Sequence, residues 1–167
     1  MAKVAFVLGE DFEDSEFKVP YDRIREAGHK VTVVGTGTKE VKGKKGKEKF
    51  TPEATAKDVD ADQFDALVVP GGYSPDHLRT DEGVVTLVQK LYGADKPVAA
   101  ICHAGSLLIE ADAVNGKRVT SWPSIRTDLI NAGAKWEDKE VVEDGNLITS
   151  RNPDDLDAFC AAILQRL

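Results

Sequence analysis

The sequence predicts a doubly wound α/β sandwich, a mostly parallel sheet with helices on both faces. Short runs of wholly apolar residues alternate with amphipathic stretches of helical length, and Gly, Pro or acidic residues punctuate nearly every junction. Strands buried on both faces lose the polar alternation of half-exposed ones, and several of these runs show none.

Residues 3–8 (KVAFVL) form the first such run. A helix is expected over 15–27, opened by Glu13 and Asp14 and closed by Gly28; Pro20 should kink it or move its true start later. Residues 31–34 complete the β-α-β unit of a parallel sheet. The pattern then weakens, and Gly43-Lys44-Lys45-Gly46 reads as a turn between two short exposed strands. Ala66–Val69 is a buried strand that runs into Pro70-Gly71-Gly72. Ser74-Pro75-Asp76 signals a helix start, with Ser as cap and Pro in the first helical position. Residues 82–92 carry Val84, Val85, Val88 and Leu91 at helical spacing. Residues 98–101 are a strand, 104–111 its helix, and 125–132 a helix ended by Gly133. Segments 141–142 and 147–149 flank Asp144-Gly145 as a hairpin, and 154–167 closes the chain as a helix. No repeat, low-complexity segment or linker interrupts this order, so one domain over 1–167 is expected.

The net charge of −7 disfavours general binding to nucleic acid or anionic membranes. The two cysteines lie far apart, which argues against a disulfide scaffold and for a reducing, cytoplasmic setting. The first strand begins by Lys3 or Val4 and no apolar run approaches a membrane span, so neither a signal peptide nor an anchor is expected. Three scattered histidines predict no metal site, and the lack of GxGxxG or a P-loop predicts no nucleotide cofactor. The lysine-rich stretch 39–49 contains Glu40 and Glu48 and no aromatic before Phe50, so it reads as an edge hairpin protected by charge.

Cys102 carries the chemistry. It follows the apolar run Val98-Ala99-Ala100-Ile101 and precedes small residues and a helix, the strand-to-helix turn at which an α/β fold exposes a nucleophile. The helix N-terminus favours thiolate over thiol, and His103 supplies an adjacent imidazole. The bland reading is an inert buried cysteine, which is how Cys160 reads. Loops after three strands converge in such a fold and bring the acids of 10–14, Gly71-Gly72 and Cys102-His103 to one pocket. Gly71 and Gly72, with the His103 N–H, suit an oxyanion hole or a plain turn. Trp122 is expected to line the pocket.

Phe12-Glu13-Asp14, Pro70-Gly71-Gly72-Tyr73-Ser74-Pro75-Asp76 and Ala100-Ile101-Cys102-His103 resemble the ThiJ/PfpI family in order and spacing, and Thr149-Ser150-Arg151 looks similar too. The resemblance spans nearly the whole chain. It implies a flavodoxin-like, class I glutamine amidotransferase-like sandwich and cysteine chemistry: deglycase or glyoxalase action on glycated proteins, nucleotides or reactive dicarbonyls, intracellular peptidase action, or stress protection by oxidation of Cys102. It also implies that Glu13 hydrogen-bonds the Cys102 sulfur. His103 would be oriented by a carboxylate of a neighbouring subunit, at the position Asp76 occupies here, in a homo-oligomer, dimer or hexamer, that shares its site. The peptidase-like archetype has Glu at that position, so Asp76 weakens the peptidase reading. As plain residues, Glu13 and Asp76 are also ordinary acids of helix first turns.

Overall fold

The computed structural model describes residues 1–167. Its centre is a seven-stranded sheet built from β1 (Lys3–Val7), β2 (Lys30–Gly35), β5 (Ala54–Thr55), β6 (Ala66–Val69), β7 (Val98–Ile101), β10 (Val142–Asp144) and β11 (Leu147–Ser150). The spatial order is β10-β11-β7-β6-β1-β2-β5, and only the β10–β11 pair is antiparallel. Two small pairs stand apart: β3 (Val41–Lys42) with β4 (Lys49–Phe50), and β8 (Arg118–Val119) with β9 (Lys135–Trp136). The helices are α1 (Asp14–Glu26), α2 (Ser74–Leu78), α3 (Glu82–Gly93), α4 (Gly105–Glu110), α5 (Arg126–Asn131) and α6 (Leu156–Gln165). No helix is long and apolar enough to cross a membrane.

Strand periodicity divides the interior into two cores. Val4, Phe6, Val68 and Ile101 face one side, where Phe17 and Ile24 of α1 and Phe159 and Ile163 of α6 cover them. Ala5, Val7, Leu67, Val69 and Ala100 face the other, under Leu78 of α2, Leu87 and Leu91 of α3 and Leu107 of α4. Apolar residues at both parities are what made these strands read as continuous hydrophobic runs.

Two local expectations change. α1 begins at Asp14 and runs through Pro20, so the proline neither delays nor ends it. Ser74 does not cap α2: the helix includes it, Tyr73 holds the cap position, and the buried Ser74 hydroxyl accepts the Gly9 N–H at 2.8 Å. That bond ties the loop after β1 to the loop after β6, the two strands between which the connections reverse direction.

The β3–β4 hairpin is docked, not a free edge. Phe50 packs against Phe17 and Tyr21 at centroid distances of 5.3 and 5.4 Å. The Asp14 carboxylate accepts the backbone N–H groups of Lys45, Lys47 and Glu48, each at 2.9 Å. A Cβ at Gly43 would overlap that carboxylate, so only glycine permits the approach. Burial alone would push the Asp14 carboxyl up, but the three N–H bonds outweigh it and hold it below its ordinary value.

Replacing Asp14 with Ala removes the acceptor for those three donors. Urea unfolding is expected to show a loss of about 2 kcal/mol, and limited trypsinolysis should cut first at Lys44, Lys45 or Lys47. Unchanged cleavage would show that Phe50 alone holds the hairpin.

Candidate active site

β7 ends at Ile101, a single 3-10 turn spans Cys102–Ala104, and α4 follows. Cys102 adopts φ 63°, the left-handed region. An L-residue there carries strain of roughly 1–2 kcal/mol, as expected for a nucleophile turned out at the sheet edge. The Trp122 N–H donates to the Cys102 carbonyl at 3.1 Å and braces the turn from outside. The residue is 8% exposed, so the sulfur lies just beneath the surface.

Four groups surround the sulfur. The backbone N–H groups of Gly72 and His103 face it and favour its anionic form. Its own neighbour His103 turns back far enough to place Nδ1 3.4 Å away, and His103 Nε2 lies 3.1 Å from Ser124 Oγ. Both contacts are satisfied by the tautomer with its hydrogen on Nε2: the thiol donates to Nδ1 and Nε2–H donates to Ser124. Burial, and then the charge of Lys44, lower the His103 pKa, so the imidazole is neutral near neutral pH.

The fourth group is a carboxyl, and it is Glu16, not Glu13. Glu16 is wholly buried, and its Oε1 accepts the Gly71 N–H at 3.0 Å. Its Oε2 has no partner of ordinary hydrogen-bond geometry, and the Cys102 thiol is its polar neighbour. Gly71 separates the two: a side chain there would overlap Glu16 Oε1 and bring its Cβ within 2.8 Å of the Cys102 Cβ. Glu13 instead binds Lys44 Nζ through Oε2 at 2.9 Å and Lys45 Nζ through Oε1 at 3.0 Å. The difference comes from the start of α1. Glu13 is the residue before the first helical turn and its chain turns into the hairpin, whereas Glu16 lies within that turn and faces the sheet edge.

These placements set the charges. Burial, and then the charge of Glu13, push the Glu16 carboxyl up to about 8. Burial, and then an ionised Glu16, push the Cys102 thiol up to about 12. The pair cannot hold two negative charges cheaply. Below pH 8 Glu16 keeps its proton and no longer opposes a thiolate. For Glu13, burial pushes upward, but the bonds to Lys44 and Lys45 outweigh it and hold the carboxyl below its ordinary range.

Other expected site residues fall as follows. The Gly71 N–H is taken by Glu16, so the free donors facing the sulfur are those of Gly72 and His103. Trp122 stacks obliquely near the His103 ring, with centroids 6.4 Å apart, and is 41% exposed. Asp76 lies exposed on α2 and makes no hydrogen bond or ion pair to His103 within the chain. Ser124 escaped the sequence reading; its signal was its place just after Trp122-Pro123, in the loop already assigned to the pocket. Cys160 is buried on α6, as expected of an inert cysteine. A cavity of about 600 Å³ lies elsewhere, between Lys57 and the start of α3, and includes none of these groups.

Glu16 makes stability depend on pH. Its folded pKa, about 8, lies above its ordinary value of 4.5. Its contribution is therefore complete below about pH 4.5 and lost as pH rises through about 8. Urea unfolding at about pH 5 and pH 9 should show wild type losing a few kcal/mol relative to Glu16→Gln across that interval. A constant difference between the two proteins would mean that Glu16 is ionised throughout.

Known proteins resemble this chain over nearly its whole length. The model of the DJ-1/PfpI family matches residues 2–166. The chain is 46% identical to protein/nucleic acid deglycase 2 of Escherichia coli (strain K12), covering 99% of this chain and 97% of that one. It is 48% identical to general stress protein 18 of Bacillus subtilis (strain 168), covering 94% and 92%. Among solved structures, Drosophila melanogaster DJ-1beta superposes with a TM-score of 0.92 at 34% identity, covering 99% of this chain and 90% of that one. With a family model spanning almost its full length, and with the flavodoxin-like sandwich its sequence predicted, this chain belongs to the DJ-1/PfpI family.

Proposed function

We propose that this protein is a cofactor-free cysteine hydrolase of the deglycase or glyoxalase type, acting on reactive dicarbonyls such as methylglyoxal or on their adducts with proteins or nucleotides. The observation that carries this reading is the sulfur of Cys102: held on a strained turn, 3.4 Å from a neutral imidazole and beside a carboxyl that keeps its proton. The deglycase relative supports the substrate class, and the stress-protein relative fits a protective role.

The chemistry needs no external oxidant. The Cys102 sulfur adds to the aldehyde carbon, a C–S bond forms, and the carbonyl π pair moves onto oxygen, which takes a proton. In an amine adduct the same attack breaks the C–N bond, and the amine leaves with that proton. The resulting hemithioacetal of an α-oxo aldehyde has a C–H beside a ketone. Moving that proton from carbon to the neighbouring carbon, through an enediol, oxidises the first carbon to a thioester and reduces the second to an alcohol. Water then cleaves the thioester, releasing a hydroxy acid and restoring the thiol. Neutral His103 is the group placed to take and return protons, and Ser124 fixes its tautomer. The N–H groups of Gly72 and His103, aimed at the sulfur, lie where an oxyanion on the attached carbon would need donors.

The assembly proposed with this reading is a homo-oligomer that covers the site. Tyr73, 63% exposed, and Trp122 flank the entrance as large uncovered rings, and Asp76 is free on the same rim.

Cys102→Ala should abolish hydroxy-acid formation from methylglyoxal without lowering the melting temperature, because it also relieves the buried pair. Ser124→Ala should lower kcat by roughly 10- to 100-fold with little change in KM. Mass spectrometry of the protein quenched with methylglyoxal should find the adduct on Cys102. Full turnover by Cys102→Ala would overturn the reading, and cleavage of peptide amides without dicarbonyl turnover would replace it with a peptidase. For the shared site, mixtures of inactive Asp76→Asn and inactive Cys102→Ala chains should regain activity once subunits exchange. No recovery despite verified exchange would place the whole site in one chain.

A further inference from the structure

Lys44 has entered so far only through its charge on His103 and Glu13, yet the fold goes to some length to hold it. Its hairpin is pinned by Phe50 and by three backbone donors on Asp14. The Phe12 carbonyl accepts the Lys44 N–H at 2.9 Å, fixing the turn against the loop that leads into α1. Its ammonium sits 2.9 Å from Glu13, three residues before Glu16 on the same helix start. Lys44 is about two-thirds buried along its side chain, whereas Lys45, on the other oxygen of Glu13, is more than half exposed.

We propose that Lys44 is the positioning residue that activates Cys102: the docked hairpin holds its ammonium on Glu13, three residues along the helix start from the Glu16 carboxyl that adjoins the sulfur, where its positive charge favours the thiolate. The proposal rests on the reading of Cys102 as nucleophile and adds the source of its activation. The charged and titratable groups around the pair are few. α1 supplies Glu13, Asp14 and Glu16, the hairpin supplies Lys44 and Lys45, and the turn itself supplies His103. His103 is neutral, Asp14 is bound by backbone donors, and the Glu13 charge opposes ionisation of Glu16. Lys44 is the cation that acts on all three of Cys102, Glu16 and His103, favouring the anionic form of the first two and the neutral form of the third. Lys45 carries the same charge on the same carboxylate, but its side chain is more than half exposed, where solvent screens it. Whichever atom of the pair bears the first negative charge, Lys44 stabilises it, and the same cation keeps the imidazole free to accept a proton. Together with the N–H groups of Gly72 and His103, it gives the sulfur donors and positive charge on a side where burial alone would keep it protonated.

The test is the pH dependence of iodoacetamide alkylation at Cys102, followed by mass spectrometry on the full-length protein without substrate. Lys44→Met is expected to raise the midpoint by about one pH unit and to slow alkylation at neutral pH roughly 10-fold, to the extent that the thiolate fraction falls. Lys45→Met removes an equal charge and should leave the midpoint within about 0.3 unit of wild type. Lys44→Arg keeps the charge and should restore most of the shift. Unfolding is checked by limited trypsinolysis of the hairpin, and the Arg variant keeps the test decisive if the Met variant is loosened. An unchanged midpoint in Lys44→Met, or equal shifts in the two Met variants, would overturn the proposal. Because no substrate is present, failure here leaves the hydrolase reading standing, and loss of that reading through an active Cys102→Ala leaves this measurement valid.

Discussion

A buried carboxyl that cannot hold its charge cheaply is the constraint around which this protein is arranged. Glu16 has no solvent contact and one backbone donor, and its polar neighbour is the thiol of Cys102. An unpaired ionised carboxylate in such a place costs several kcal/mol, so the group keeps its proton to an unusually high pH. The rest of the edge follows from seating it. Residue 71 must be glycine to leave room for both groups, the Cys102 backbone must turn left-handed to bring its sulfur there, and the loops after β1 and β6 must be tied, as Ser74 and Gly9 tie them.

The second consequence is that the β3–β4 hairpin belongs to the site. In most α/β folds such an excursion after the second strand is surface decoration. Here its backbone is held by the side chain next to the helix start, its aromatic residue completes the cluster of Phe6, Phe12, Phe17 and Tyr21, and its lysines neutralise Glu13. Were Glu13 unpaired, its charge would press harder on Glu16 a turn away and raise that carboxyl further. Stability of the hairpin and protonation of the pair are thus coupled through three neighbouring acids that do three different jobs: Glu13 for the lysines, Asp14 for the hairpin backbone, Glu16 for the thiol.

That division of labour marks the limit of what could be read from residues alone. The buried strands announced themselves because 66–69 and 98–101 are apolar at both parities, and Cys102 stood out because a strand, small residues and a helix follow one another in the right order. The first turn of α1 was different. Acids at 13, 14 and 16 all look like helix-start residues, and which one faces inward depends on the angle at which the loop leaves β1, set by contacts with residues 43–48 and 71–74 far along the chain. The lysines of the hairpin had the same fault: their partners lie some thirty residues away, so composition showed an exposed edge where the fold makes a docked one. Ser74 looked like a cap because Ser before Pro usually is, but a buried Gly9 donor claimed its oxygen.

His103 brings the within-chain site and the proposed shared site into one account. Both of its nitrogens already have partners in the single chain, Cys102 on one side and Ser124 on the other. An Asp76 carboxylate arriving from a second copy would therefore have to take Nε2–H from the serine hydroxyl. The exchange would not be neutral in effect. A hydroxyl acceptor fixes the tautomer but adds no charge, and burial together with Lys44 keeps the imidazole a weak base. A carboxylate acceptor in the same place keeps the tautomer and stabilises the imidazolium, which makes Nδ1 a stronger base toward the thiol it faces. On the proposed shared site, the lone chain would hold the parts of a nucleophile in register with the imidazole at low basicity, and the step from register to reactivity would be the replacement of a neutral acceptor by an anionic one at a single nitrogen.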